Sequence, residues 1–333
     1  MSKEGLNVGI IGTGNIANEH LIPALKLVPG AVFWAASGMD YQKALDFAER
    51  HEAQSEYGAR MFWQDMLDDP ELDTVIIATP DGWHCDMAVR AIEKGKHVFI
   101  EKPMVLDLCE IKYLKKALER TPNIKLAVGY HHRWHDGHRD LRKYIAANDY
   151  GQIKLMRMLW MTENRYSGWR SVNENPEAPY ALGALGTHLI DLAIYLLEPA
   201  CGPVMTATGS LNKTEDGKDV AGGLCLKFQS GALAEIGFMV GSPKAVKHFE
   251  IYGTKGDVIA DNTLGARGSG FITYTEKARK RELSFVDVNP YTKELQDFIN
   301  AIGENRQPEV DFAVGALNTE IMHAIFKKGA WPL

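Results

Sequence analysis

Apolar and polar positions along the first 130 residues alternate between two periods. Residues 6–11 form a short apolar run, and in 18–28 the positions Leu21, Ile22, Leu25 and Val28 recur at helical spacing before Pro29-Gly30. A second run at 32–36 precedes a helical pattern through Ala44, Leu45 and Ala48. The β-branched run at 74–78 stops at Thr79-Pro80-Asp81-Gly82, a turn signal. A helix at 87–94 passes through Gly95 into a strand at 97–100, and a helix at 108–120 leads to a strand at 125–128. Strands alternating with helices of this length predict a parallel, doubly wound sheet.

The rhythm changes after Gly151. Strand-like segments at 153–161, 204–211, 222–228, 232–240 and 248–252 follow one another, some separated by turns such as Glu215-Asp216-Gly217 and Ser230-Gly231. That pattern predicts an open, mainly antiparallel sheet. A helix at 187–197 interrupts the series, and helices at 291–302 and 312–327 close it. The fold class is therefore α/β followed by α+β, with a tight junction near residues 130–150 and no internal repeat.

Composition narrows the functional classes. A length of 333 residues suits two domains, and 45% hydrophobic with 24% charged residues is ordinary globular composition. Lys+Arg of 37 against Asp+Glu of 43 gives a net charge of −6, which argues against nucleic acid or an anionic membrane as partner. Cys85, Cys109, Cys201 and Cys225 make no CxxC pair and read as reduced thiols. The N-terminus shows no signal-peptide pattern, so a cytoplasmic location is expected. No uninterrupted apolar stretch approaches a membrane span, because 181–197 is broken by His188 and Asp191.

Chemistry enters at Gly12-Thr13-Gly14-Asn15-Ile16-Ala17, between a predicted strand and a predicted helix. The first glycine permits a tight turn, the second lets backbone approach a pyrophosphate, and the small Ala17 allows close packing. The pattern points to a dinucleotide. The ribose-reading position at the end of the second strand holds Ser37 and Gly38, neither charged, while Asp40 reads as a helix N-cap. NAD and NADP both remain open as cofactor, with a lean to NADP. Glu101-Lys102-Pro103 follows another strand, where a lysine can exchange a proton with a substrate oxygen.

These motifs occur together with Ala78-Thr79-Pro80-Asp81 and His84, Gly95-Lys96-His97-Val98, Val128-Gly129-Tyr130-His131-His132-Arg133, Trp169-Arg170 and Gly186-Thr187-His188-Leu189-Ile190-Asp191. In order and spacing the chain resembles the glucose–fructose oxidoreductase / inositol dehydrogenase / rhizopine-catabolism (Gfo/Idh/MocA) family over nearly its whole length. The resemblance implies a Rossmann domain at 1–130 and a substrate-binding and oligomerisation α+β domain at 131–333, whose C-terminal helices are free to pack back on the first. It implies an NAD(P)-dependent oxidoreductase acting on a secondary alcohol or ketone of a sugar, sugar derivative or cyclitol, and a homodimer or homotetramer. Lys102 and His188 would be catalytic. Gly12, Thr13, Gly14, Asn15, Ile16, Ser37, Gly38, Thr79, Pro80, His84, Glu101, Lys102, His131 and Arg170 would serve the dinucleotide and the adjoining cleft.

One position departs from the family. Where many members carry Asp four residues before the histidine, this chain has Ala184. A His–Asp acid/base pair is therefore absent. A cofactor-binding regulator with little catalysis, and redox-neutral glycoside cleavage, stay open as alternative functions. His131, His132, His135 and His138 superficially suggest a metal, but the expectation is that none is bound. Arg165, Tyr166, Trp160 and Trp169 suit either stacking on a sugar ring or a core or interface role.

Overall fold

The computed structural model describes residues 5–55, 58–163, 178–276, 279–286 and 289–332. Six parallel strands form the first sheet: β1 (Leu6–Ile11), β2 (Ala31–Ser37), β3 (Ala59–Arg60), β4 (Thr74–Ile77), β5 (His97–Glu101) and β6 (Leu126–Gly129), in the order β3-β2-β1-β4-β5-β6. The runs of β4, β5 and β6 are apolar without alternation because such strands are covered on both faces. Strand order reverses at β1, which has β2 on one side and β4 on the other. Ligands of doubly wound sheets bind outside the strand C-termini at such a switch point.

Two of the connecting helices start at side-chain caps. In α2 (Tyr41–Arg50), the Asp40 side chain accepts from the Lys43 amide at 3.1 Å. A later helix, Leu108–Arg120, opens on a reciprocal box between Asp107 and Glu110. The segment expected as one helix at 18–28 instead begins with a π-helical turn, Ala17–Leu21, before the short α1 (Ile22–Leu25). The two-residue β3 and the five-residue α3 (Trp63–Leu67) had no sequence signal, since neither is long enough to display a period. Helices α4 (His84–Glu93) and α5 (Leu108–Arg120) complete the alternation.

The chain divides into two compact units. The first comprises Met1–Tyr130 with Tyr291–Leu317, and the second His131–Pro290 with Asn318–Leu333. The return segment of the first unit holds α8 (Pro290–Gly303) from Tyr291 onward and the start of α9 (Phe312–Lys328). Within that unit Phe298 packs on Phe99 at 5.8 Å between ring centres.

The second unit is built on nine strands. In chain order they are β7 (Ile153–Thr162), β8 (Val204–Lys213), β9 (Asp219–Phe228), β10 (Leu233–Val240), β11 (Val246–Gly253), β12 (Gly256–Asp261), β13 (Gly270–Glu276), β14 (Arg279–Phe285) and β15 (Ala330–Trp331). They pair in the order β14-β13-β12-β11-β7-β10-β9-β8-β15, antiparallel except for β7 with β10. Burial alternates along β10, so one face is covered and the other open. The covered face carries α6 (Asp136–Ala146) and α7 (Thr187–Cys201). Helix α6 escapes sequence reading because Gly137, His138, Arg139 and Asp140 fill its first half; its buried stripe is only Gly137, His138, Leu141 and Ile145. Strands β12 to β14 were also unforeseen, β14 being an exposed, charged edge strand.

One expectation needs correction. Leu182–Cys201 runs continuously for 20 residues and is long and apolar enough to cross a membrane, although His188 and Asp191 lie within it. In this fold 83% of its most apolar window is buried inside the protein, the signature of a core helix.

Candidate active site

The first unit presents three adjacent strand ends in register. Ile11 of β1 pairs with Ile77 of β4, and Ile77 with Ile100 of β5, so Gly12, Ala78-Thr79-Pro80 and Glu101-Lys102 emerge at one edge. Gly12 has φ +103°, and a Cβ there would sit 2.4 Å from the Ala78 oxygen. No side chain fits that turn. Its amide donates to the Ser37 carbonyl at 2.8 Å, tying the turn to β2. Gly14 is exposed, and nothing lies within 4 Å of where its Cβ would stand. Asn15 and Ile16 are already helical, so the first amides of that helix open beside this space. Ser37 is buried, and Gly38 approaches Thr13, whose Oγ1 would lie 3.1 Å from an added Cβ. The cradle is shaped for a diphosphate, and its rim at Ser37-Gly38 is uncharged.

Lys102 follows β5 directly and is half-buried, its amide donating to the Glu101 carboxylate at 3.2 Å. Thr79 and Pro80 are half-buried beside the same edge. His84 is placed differently from what the resemblance implies. It is fully buried, with Nδ1 2.9 Å from the Pro103 oxygen and Nε2 3.1 Å from the Thr79 oxygen. Both nitrogens face backbone carbonyls, so His84 ties the loop after β4 to the loop after β5 and presents neither nitrogen to a ligand.

In the second unit five histidines form one buried cluster. His131, His132, His135 and His138 come from the 3-10 turn His131–Trp134 and the start of α6, while His188 comes from α7. The His188 ring lies 4.9 Å from His131, 4.8 Å from His132 and 5.7 Å from the Trp160 ring, centre to centre. His138 Nδ1 lies 2.8 Å from the His132 oxygen. Burial, then the neighbouring imidazoles, holds His132 and His138 well below the ordinary histidine range. Among the described residues no group of three or more His, Cys, Asp and Glu has the geometry for a metal ion. Trp160 belongs to this core and does not stand on the open face of the sheet.

That lowering carries a stability consequence with a definite sign. Both rings are neutral when folded but bind protons near pH 6.5 when unfolded, so stability is full above that pH and falls as pH drops below it. His248 opposes this. Burial lowers its proton affinity, but hydrogen bonds to Asp261 and Glu250 outweigh burial and raise it, so its contribution is lost as pH rises. Thermal melts between pH 7.5 and pH 5 (~1.4 kcal/mol per pH unit for each buried ring) are expected to show falling stability. His138→Phe should flatten the profile; an unchanged slope would exclude His138 from the effect.

The helix bearing His188 is held by contacts that no motif announced. Asp219 is buried at the start of β9, and its two oxygens accept from the amides of Tyr180 at 2.5 Å and Leu182 at 2.6 Å. Burial pushes its carboxyl up despite those donors. The segment Leu182–Gly186 is π-helical, a geometry enriched at functional sites. Ala184 therefore precedes His188 across a π-to-α junction, and not along the uniform α-helix that the four-residue spacing suggested. Asp191, the next acid on α7, is engaged by Arg133 through three hydrogen bonds of 2.7–3.1 Å and by Asn318 at 3.1 Å. Arg170, with Arg165, Tyr166 and Trp169, lies outside the described residues.

These features match known proteins. An oxidoreductase family model for the NAD-binding Rossmann fold covers residues 6–130, and the GFO/IDH/MocA C-terminal domain model covers residues 138–259. The chain belongs to the Gfo/Idh/MocA family. It is 27% identical over 330 residues to the 1,5-anhydro-D-fructose reductase of Ensifer adhaerens, covering 97% of this chain and 96% of that one. A levoglucosan dehydrogenase solved with NADH and L-sorbose shares the fold with TM-score 0.84 at 22% identity, covering 98% and 97% of the two chains. The 3-ketoreductase KijD10 of Actinomadura kijaniata, solved with TDP-benzene and NADP, shares it with TM-score 0.83 at 19% identity and 98% coverage of each. The chain is thus an NAD(P)-dependent oxidoreductase of a family that acts on sugars.

Proposed function

We propose that the chain transfers hydride between a nicotinamide and the secondary alcohol or ketone carbon of a sugar, sugar derivative or cyclitol. The observation that carries this is the in-register emergence of Gly12, Thr79-Pro80 and Lys102 at one edge of the first sheet. Gly12 to Ile16 would hold the diphosphate, Ser37 and Gly38 the ribose, and Thr79 and Pro80 the adjoining wall. The bound nicotinamide supplies the hydride chemistry. Lys102 would exchange the hydroxyl proton, and the family resemblance makes His188 the candidate in the second unit for a hydrogen bond to substrate. Steady-state assays with 1,5-anhydro-D-fructose, levoglucosan and myo-inositol test the reading by net change in reduced nicotinamide. Dinucleotide binding without turnover on any sugar or cyclitol, in either direction, would overturn it.

The same reading admits NADP within about tenfold of NAD, because no carboxylate stands at Ser37-Gly38 to repel a 2′-phosphate. Asp40 is already committed to capping α2 and lies 3.6 Å from the Lys43 ammonium. Titration of tryptophan fluorescence with each dinucleotide measures the ratio; strong preference for NAD would mean that Asp40 leaves its cap to grip the ribose. The open face of the second sheet, with a cavity of about 740 Å³ bordered by Arg157, Glu235, His248 and Glu250, supports the homo-oligomer reading.

A further inference from the structure

Three large apolar side chains face solvent beside the ribose position of the first unit. Met39 is 98% exposed, Met61 58% and Phe62 58%. Ser37 of β2 is in register with Arg60 of β3, so the chains beyond the two strands leave the sheet side by side at the same edge. That edge also holds the glycine turn, tied to β2 by the Gly12 amide on the Ser37 carbonyl at 2.8 Å. Arg60 is engaged by Asp69 at 3.1 Å, and the two residues after it are both apolar. Single exposed apolar residues are normal, but three on adjoining loops at a ligand edge call for something to cover them.

Phe62 is also out of place by local rules. It is the N-cap of α3, with the extended backbone of a capping residue (φ −117°, ψ 135°), yet its side chain makes no hydrogen bond to the helix. Serine, threonine, aspartate or asparagine would satisfy a helix amide there. The ring is not spent on the core either, since more than half of it is exposed. A residue that serves neither cap nor core, on the rim of a binding edge, is where local consistency gives way to function.

We propose that Phe62, with Met61 and Met39, forms the seat of the adenine ring of the dinucleotide. The ribose read at Ser37-Gly38 is the one that carries adenine, so the base lies next to the loops that leave β2 and β3. A flat purine gains from a phenyl face and from polarisable thioethers, and it covers the apolar surface they expose. The seat makes no use of the ribose 2′ position, so it serves NAD and NADP alike. This deepens the proposed function and rests on its reading that Gly12 to Ile16 hold the diphosphate and that Ser37 and Gly38 hold the ribose.

Calorimetric titration of the full chain with NADH and with ADP-ribose, beside thermal melts, tests the seat without any sugar substrate. Phe62→Ser should weaken both ligands about tenfold, because both carry the adenine. Its Tm should hold or rise, because serine can cap α3. Phe62→Tyr, which keeps the ring, should bind as wild type does, and Met39→Ser should cost about threefold. A Phe62→Ser chain that melts cooperatively and binds both ligands like wild type would overturn the proposal. So would a Phe62→Tyr chain as weak as Phe62→Ser, or a large fall in Tm, which would make Phe62 a packing residue. A change of oligomeric state by light scattering, with affinity unchanged, would assign the surface to a second copy instead. A wild-type chain that binds neither ligand would overturn the glycine-turn reading itself, a result distinct from unchanged affinity in the variants.

Discussion

Lys102→Met is expected to lower kcat about a hundredfold or more while leaving the fold and most dinucleotide affinity intact. Methionine keeps the length and apolar stem of the side chain, so the packing of this half-buried residue changes little. What it loses is the ammonium, the group able to give or take the substrate proton. The loop itself is held independently of that ammonium. The Lys102 amide donates to Glu101, and the Pro103 oxygen lies against buried His84. Steady-state kinetics beside a dinucleotide titration separate the two effects. A variant with near wild-type kcat would show that the proton travels through another group, while a variant that no longer binds dinucleotide would show a mainly structural lysine.

Asp191→Ala is expected to be among the most destabilising single changes in the second unit, at about 3–5 kcal/mol. The Arg133 and Asp191 side chains are only 9% and 1% exposed, and the guanidinium spends both Nε and one terminal nitrogen on this carboxylate. Removing the acid strips a buried guanidinium of its counter-charge; the neighbouring Tyr195 face, 5.0 Å away, offers a cation–π contact, which is much weaker than the ion pair it would have to replace. In a unit of this size the loss corresponds to about 6–20 °C in Tm. Asp191→Asn, which keeps the shape and an acceptor oxygen, should cost less. A simultaneous Arg133→Met, Asp191→Leu change should recover part of the loss, because the desolvation cost disappears with both charges. A melt of Asp191→Ala at the wild-type temperature would show that the pair contributes nothing net.

Asp191 also illustrates why a motif does not reveal how its members are used. Within Gly186-Thr187-His188-Leu189-Ile190-Asp191 the acid stands three residues after the histidine, close enough on a helix to pass for its partner. The fold gives it to Arg133, 58 positions away in the chain. The opposite happened at Asp40, whose role as a cap needs only residues up to Lys43 and was readable as such. Local hydrogen bonds follow local sequence; long-range ones do not.

Periodicity alone determined the alternation of strands and helices in the first unit and the change to successive strands after Gly151, because burial on one or two faces of an element leaves its period in the residues themselves. The glycine turn was equally legible, since a φ of +103° against the Ala78 backbone admits no other residue at Gly12. Sequence also marked Lys102 and His188 and the missing carboxylate at Ala184. Only the tertiary structure decided that His84 is a buried tie between two loops, that the 291–317 segment belongs to the first unit, and that His188 sits among imidazoles. Gly265 had no signal of its own, yet its carbonyl and amide lie within hydrogen-bond distance of His131 and His132, more than 130 positions earlier. A backbone peptide group is the same at every residue, so which side chains it serves is written in the path of the chain and not in its letters.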